Sequence, residues 1–162
     1  MNPINLTNYA QIVFFTGAGM SAESGIPTYR GSKGMWEKYN FKEYACNEAF
    51  QKAPSKVLKF HEIRRQKVGV CSPHKGHEII SCIEKKHTNV CIITQNIDGM
   101  HQKSGSENVI ELHGSLWRLR CPEDNTIIED STDKYESYTC QCGVILRPDI
   151  VWFGDMLNMK TV

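Results

Sequence analysis

Gln95, Asn96, Asp98 and His113 are the residues of this chain whose types and placement could do chemistry together. Gln95 follows the apolar run Asn89 to Thr94, and His113 follows the run Val109 to Leu112. An imidazole titrates near neutral pH and can take a proton from a hydroxyl group in the working range. Amide and carboxylate side chains orient a sugar or an amide ligand without acting as nucleophiles. A third run, Gln11 to Thr16, leads into Gly17-Ala18-Gly19-Met20-Ser21-Ala22, a G-x-G-x-x-A turn. Glycines in such a turn let backbone approach a pyrophosphate at a helix N-terminus. The acidic residue expected roughly 20 positions later in an ordinary dehydrogenase is missing, which argues against that class. Plainer alternatives stay open at this point. The glycine turn can be a bare strand-to-helix connection, Gln-Asn-Ile-Asp a turn, and a lone His a structural residue.

The elements that must position these groups follow from periodicity. Gln11 to Thr16 and Asn89 to Thr94 read as buried parallel strands, Val109 to Leu112 as a brief third, and Asp149 to Phe153 as a fourth. Between the first two, Ser72-Pro73 opens a stretch with Ile79, Ile80 and Ile83 at helical spacing, expected to pack on the sheet. Strands separated by helices imply an α/β, Rossmann-like parallel sheet. Ligands of such sheets lie outside the carboxyl ends of the strands, so one crevice can collect Gly17, Gln95 and His113. Two excursions, 36–70 (helical, with Pro54 at a helix start) and 121–143 (polar, without clear period), predict an inserted smaller lobe. The larger part then comprises 1–35, 71–120 and 144–162.

Within the first excursion, Ser55 to Val68 places Val57, Phe60, His61, Arg64 and Val68 on one helix face. A cation inside an apolar stripe needs an anionic partner. A neighbouring acid such as Glu62 is one candidate and a ligand is the other.

The chain has 162 residues, 40% hydrophobic and 23% charged, with 19 Lys+Arg against 18 Asp+Glu. This balance carries no basic footprint for nucleic acid or an anionic membrane, and no apolar run reaches bilayer length. Met1 to Ala10 lacks the order of a secretion signal. The expectation is a cytoplasmic protein. Cys46, Cys71, Cys82 and Cys91 read as buried free thiols.

Extended to Arg30, the glycine turn reads Gly-Ala-Gly-Met-Ser-Ala-Glu-Ser-Gly-Ile-Pro-Thr-Tyr-Arg and closely resembles the sirtuin signature. So do Thr94-Gln-Asn-Ile-Asp-Gly-Met-His101, Glu111-Leu-His-Gly-Ser115 and Leu146-Arg-Pro-Asp-Ile-Val-Trp-Phe-Gly154. The motifs stand in the family's order over most of the chain.

The resemblance implies an NAD⁺-dependent protein-lysine deacylase acting on acylated-lysine proteins or peptides. Gly17, Ala18, Gly19 and Ser21 would cradle the NAD⁺ phosphates, while Glu23, Pro27, Thr28, Tyr29 and Arg30 would belong to a closing loop, with Trp36 beside it. Gln95, Asn96, Ile97 and Asp98 would line the ribose and nicotinamide site, Asn96 with a catalytic part. His113 would be the base. In the implied mechanism the acyl-lysine carbonyl oxygen attacks the ribose carbon and nicotinamide leaves. His113 then deprotonates a ribose hydroxyl that attacks the imidate, giving free lysine and O-acyl-ADP-ribose. His101 is not the base by this resemblance, and His74, His77 and His87 read as helix surface or caps. Val151, Trp152, Phe153 and Gly154 resemble the strand that pairs with the substrate backbone.

By the same resemblance, His61 and Arg64 fall where desuccinylase-type members carry a Tyr-x-x-Arg pair that reads a carboxylate on the acyl chain. Ala45 falls where they keep a small residue. Succinyl- or malonyl-lysine is therefore expected to be processed at least as well as acetyl-lysine. The small lobe of the family often holds structural zinc through two Cys-x-x-Cys pairs. Here Cys121 is followed by Pro122, Glu123 and Asp124, and the second pair is Cys140-Gln-Cys142. Three thiolates with Asp124 as candidate fourth ligand, or a free oxidisable Cys140/Cys142 pair, are the two readings. Further chain follows in the family, so residues 1–162 are expected to be weakly active alone and to expose a sheet edge. The rival readings are an NAD⁺ glycohydrolase or mono-ADP-ribosyltransferase, and a non-catalytic binding module.

Overall fold

The structure, a computed structural model, describes residues 4–32 and 34–157. The outer parts of the expected segments, 1–3 and 158–162, and Lys33 lie outside the described residues. The apolar runs form the expected parallel sheet. Strand β1 (Ile12–Thr16) pairs with β2 (Val90–Thr94) in register from Ile12↔Val90 to Thr16↔Thr94. Strand β3 (Val109–Glu111) lines up on the other side of β2, so the order is β1-β2-β3. The central strand is the most buried of the three and Ile92 is fully buried, as a strand covered on both faces requires. On β1, Val13 and Phe15 are exposed.

After β1 the chain makes a 3-10 turn over Ala18–Ser24, then short helices α1 (Met35–Lys38), α2 (Phe41–Tyr44) and α3 (Asn47–Lys52). The long helix α4 (Pro54–Gly69) starts on Pro54, whose missing N–H has no intrahelical acceptor to lose. It buries Val57, Phe60, His61, Arg64 and Val68, the stripe read from the spacing. Helix α5 (Lys75–Lys86) opens with His74 as cap: the Gly76 amide donates to His74 Nδ1 at 2.9 Å, and the His74 amide donates to His77 Nδ1 at 3.3 Å. Its buried face is His77, Ile80 and Ser81, while Ile79 is exposed. Two expectations are thereby corrected. His77 lies inside rather than on the surface, and Ile79 does not pack on the sheet, because 77, 80 and 81 form the inward i, i+3, i+4 stripe.

A short helix, α6 (Met100–Lys103), precedes β3. Beyond His113 the chain does not rejoin the parallel sheet. Strands β4 (Gly114–Arg120), β5 (Ile127–Glu129) and β6 (Arg147–Ile150) form a separate antiparallel sheet in the order β5-β4-β6. The expected fourth parallel strand at Asp149 to Phe153 is thus two residues earlier and belongs to this second sheet. Buried Arg65 ties α4 to it: Nη1 donates to the Leu116 carbonyl at 3.0 Å, and Nη2 pairs with Asp130 Oδ1 at 2.5 Å. All seven cysteines are free, but Cys82 is exposed and Cys71 partly so, against the expectation that both are buried.

Candidate active site

Both β1 and β2 end in threonine, and this pair braces the loops that follow. The Thr16 hydroxyl donates to Thr94 Oγ1 at 2.9 Å, and the Asn96 amide donates to the same oxygen at 3.0 Å. Asn96 Nδ2 then donates to the Gly17 carbonyl at 3.0 Å and to Ser21 Oγ at 3.1 Å, so the glycine turn and the Gln95–Asp98 loop hold each other. With its own proton directed at Thr94, Thr16 accepts from Nε2 of buried His101 at 2.9 Å. Burial holds His101 below the ordinary imidazole pKa, which keeps it a neutral brace. The sequence reading missed this pair, whose signal is a threonine at each strand end immediately before a motif.

His113 is placed by both sheets. The Leu112 amide donates to the Thr94 carbonyl at 2.9 Å, continuing the parallel ladder up to it. The His113 carbonyl accepts from the Val151 amide at 3.0 Å, and Gly114 starts β4. Gly114 has φ +75, and a Cβ there would stand 1.9 Å from the Asp149 carbonyl oxygen, so only glycine permits this crossing. His113 Nδ1 donates to the Gln95 carbonyl at 3.0 Å. A carbonyl can only accept, so in the neutral ring Nε2 is left with the lone pair.

His113 lines a cavity of about 480 Å³. The glycine turn contributes Ala18 and Gly19, and the next loop Thr28, Tyr29, Arg30 and Trp36. From the end of β2 come Gln95, Asn96 and Ile97; Ala45, His61 and Arg64 come from the α2–α4 side. The last wall is Val151, Trp152 and Phe153, together with Ile150, which the sequence reading had not singled out. Neither Gly17 nor Gly19 has a positive φ. A Cβ at Gly17 would meet its nearest neighbour, Gln95 Nε2, at 3.8 Å, and one at Gly19 would meet nothing within 4 Å. The chain's own packing does not demand glycine here, and the room left suits a ligand that approaches the backbone.

Six expected residues do not line this cavity. Ser21, Pro27 and Asp98 face a small adjoining pocket shared with Tyr29 and Asn96. Asp98 has a bracing part: Oδ1 accepts from the Met100 amide at 3.0 Å, and its carbonyl accepts from Trp117 Nε1 at 2.9 Å. The Gly17 carbonyl is held by Asn96, Glu23 is exposed 3.9 Å from His74 Nδ1, and Gly154 sits in a turn at φ +91.

Also lining the cavity, Arg64 donates from Nη2 to the Tyr29 hydroxyl at 2.6 Å, with the guanidinium over the Tyr29 ring. Among the described residues no carboxylate pairs with Arg64. Glu62, the neighbour considered for that part, instead accepts from the Tyr138 hydroxyl at 2.5 Å and pairs with Lys59. His61 is 1% exposed, stacks on Trp152, and neither ring nitrogen has a hydrogen-bond partner. Burial, and then the Arg64 charge, hold its pKa well below the ordinary imidazole value.

The 151–154 segment departs from a free substrate-pairing strand. Strand β6 ends at Ile150, and the next three amides are engaged within the chain. Val151 donates to the His113 carbonyl, Trp152 to Asp155 Oδ2 at 3.2 Å, and Phe153 to the Ala45 carbonyl at 3.0 Å. A peptide on this edge meets carbonyls and side chains, not those N–H groups.

Cys121, Asp124, Cys140 and Cys142 stand apart from the cavity, with ligand atoms all within 4.8 Å of one another. Cys121 and Cys142 sulfurs are 3.5 Å apart. Each end is a tight turn: the Cys121 amide donates to the Thr126 carbonyl at 2.9 Å, and the Cys140 amide to the Val144 carbonyl at 2.8 Å. Zn–S bonds of about 2.3 Å in a tetrahedron place sulfurs roughly 3.8 Å apart, so the donor set fits a tetrahedral ion.

A family profile described as the Sir2 family matches residues 17–162. An NAD-dependent protein deacylase of Aquifex aeolicus is 44% identical over 160 residues, covering 93% of this chain and 64% of that protein. NAD-dependent protein deacylase 1 of Caldanaerobacter subterraneus is 46% identical over 148 residues, covering 90% of this chain and 61% of that protein. The chain thus spans less than two thirds of the length of these relatives. Among solved structures, a Sir2 homologue in complex with NAD superposes with TM-score 0.81 at 42% identity, covering 93% of this chain and 60% of that one. A Sir2 protein with a deacetylated p53 peptide and 3′-O-acetyl ADP-ribose superposes with TM-score 0.75 at 30% identity, covering 93% and 63%.

Proposed function

The chain belongs to the Sir2 family, and from that premise we propose that its cavity serves NAD⁺-dependent deacylation of protein lysines. The observation that carries this reading is the His113 ring. It is oriented by the Gln95 carbonyl so that Nε2 keeps its lone pair, in a cavity shared with Gly19, Gln95 and Asn96. NAD⁺, when bound, supplies a ribose carbon bearing nicotinamide as leaving group, and hydroxyls that can receive the acyl group. On the protein's side, Ala18 and Gly19 leave room for a phosphate against the backbone. Gln95 and Asn96 present amide groups to the sugar and nicotinamide. His113 Nε2 takes a proton from a ribose hydroxyl. Tyr29 and Trp36, whose ring centroids are 5.6 Å apart, line the cavity with aromatic surface. The expected strand pairing at 151–154 is replaced in this reading by peptide contact with the Trp152 and Phe153 side chains that line the cavity.

The assay is nicotinamide release from NAD⁺ with and without acyl-lysine peptide. Release is expected to depend on the peptide, while formation of deacylated peptide, followed alongside it, is expected to fall by about 10²- to 10⁴-fold in His113→Ala, the usual contribution of a positioned base. Release that is indifferent to peptide, or deacylation untouched by the substitution, contradicts it.

The Arg64 wall of the cavity supports a finer reading: Arg64, with Ala45 leaving space, receives an acyl chain that ends in a carboxylate. Arg64 is 9% exposed and lacks a carboxylate partner among the described residues. Loss of a hydrogen bond to a charged group is worth about 1.5–3 kcal/mol. Arg64→Ala should therefore lower kcat/KM for succinyl-lysine peptide by roughly 10- to 100-fold, with acetyl-lysine turnover changing little. Unchanged succinyl turnover rejects the reading.

Cys121, Cys140 and Cys142, with Asp124, would hold a structural Zn²⁺ that closes the two turns of the small lobe. The free state of all seven cysteines supports a reducing, cytoplasmic setting.

A further inference from the structure

His61 presents a problem that packing alone does not answer. Its side chain is almost wholly buried, it faces the cavity, and neither nitrogen is hydrogen-bonded. A buried imidazole without partners loses roughly 1–3 kcal/mol for each unmet polar group. The charges and polar groups around it come from several elements. On its own helix Arg64 stands one turn away, and its cation disfavours a charged ring. From β6, Arg147 adds a second cation, itself matched by Asp155 at 2.7 Å. From the end of α2, the Tyr44 carbonyl favours the charged ring without meeting hydrogen-bond geometry. Trp152 stacks on one face, and the Tyr29 hydroxyl is taken by Arg64. Glu62 is turned toward Tyr138 and Tyr135.

We propose that His61 is a proton-linked reader of the acyl chain: a terminal carboxylate entering beside Arg64 brings a proton from solvent onto the imidazole, so the preference for carboxyl-bearing over neutral acyl-lysines rises as pH falls. This rests on the reading of Arg64 as the carboxylate receptor. A neutral imidazole has one N–H, so beside a carboxylate held by Arg64 it can donate to that carboxylate or to the Tyr44 carbonyl, not to both. The imidazolium has two and serves both. With no anion present, burial and two arginines keep the ring neutral; the carboxylate supplies the charge that reverses this. A neutral acyl group supplies none, so acetyl-lysine binding leaves the ring unprotonated.

The sign follows from linkage. A site that gains a proton on binding binds more tightly as pH falls toward the free-state pKa, with a limiting slope of about tenfold per pH unit. A carboxyl group of this kind titrates near 4.3 and stays ionised above about pH 6. Both acyl substrates use His113, so their ratio cancels its contribution. The experiment is kcat/KM for succinyl- and acetyl-lysine peptides between about pH 6 and pH 8.5, with peptide-binding calorimetry in buffers of different ionisation enthalpy. The succinyl/acetyl ratio is expected to fall as pH rises, approaching tenfold per unit, with proton uptake on succinyl peptide and none on acetyl peptide. His61→Tyr, which donates without titrating in this range, should keep a succinyl preference and flatten the ratio. A flat ratio in the wild type without proton uptake overturns the proposal even if that variant fails to fold. If the ratio is flat while Arg64→Ala still abolishes succinyl preference, only the linkage falls. If Arg64→Ala changes nothing, the carboxylate reading falls with it.

Discussion

His113 owes its position to the residues on either side of it. Leu112 continues the parallel ladder, and Gly114 turns away from it at φ +75. Gly114→Ala would put a methyl group into the Asp149 carbonyl at 1.9 Å, a contact no side-chain rotation can relieve. The positive φ alone costs about 1–3 kcal/mol for a non-glycine residue, and the clash must move β4 against β6. Thermal melting should drop accordingly. In the fraction that stays folded, deacylation should fall more than peptide binding, because the displaced group is the proposed base. Full activity in Gly114→Ala would mean that His113 does not depend on this crossing. The His-Gly pair was legible in the sequence as a motif, but the reason for the glycine was not, since it lies at Asp149, in a strand distant along the chain.

Among elements, α4 and β2 were the most legible. Sixteen residues of α4 begin at a proline and carry one apolar stripe, and β2 is β-branched at every position but Cys91. The second sheet was not legible. Strand β4 is Gly-Ser-Leu-Trp-Arg-Leu-Arg, and the irregular register between Gly114 and Leu119 breaks any alternation of inward and outward side chains. Strand β5 is three exposed residues, too short to show a period. The turns that carry the thiols were visible only as cysteines in a polar stretch. If these turns close on Zn²⁺, purified protein should contain one equivalent per chain. A chelator should then release hydrogen-exchange protection around Cys121–Leu146 while the β1-β2-β3 sheet keeps its own. Asp124→Ala should weaken metal retention without altering the parallel sheet. Protein purified under reducing conditions without metal, with the same protection in this segment, would show that the lobe needs no ion.

At the scale of the whole molecule, the interior holds several histidines in a neutral state. Burial, with smaller contributions from His101 and then His74, lowers the pKa of His77 from 6.5 to about 4, and burial also lowers those of His101 and His61. In the unfolded chain these rings titrate near 6.5, so below that pH the unfolded state binds more protons than the folded one. Their contribution to stability is complete above about pH 6.5 and is lost progressively as pH falls toward about 4. Melting temperature should therefore decline over that interval, and less steeply in a folded His77→Gln variant. A melting temperature independent of pH there would mean the rings are charged or solvated in the folded protein. The parallel sheet and its crevice could be anticipated from strand–loop order, whereas the buried histidine set could not, because a histidine at a helix start reads equally well as a solvated cap.

The central claim is that one imidazole works on the sugar of NAD⁺ in the same cavity that receives the acyl-lysine. Its most direct test is mass spectrometry of the products formed from NAD⁺ and an acyl-lysine peptide. The account predicts free lysine peptide and nicotinamide, with the acyl mass transferred to ADP-ribose, and this transfer slowed by at least about 10²-fold in His113→Ala. Plain ADP-ribose beside an unchanged peptide, or ADP-ribose attached to the peptide, would contradict it.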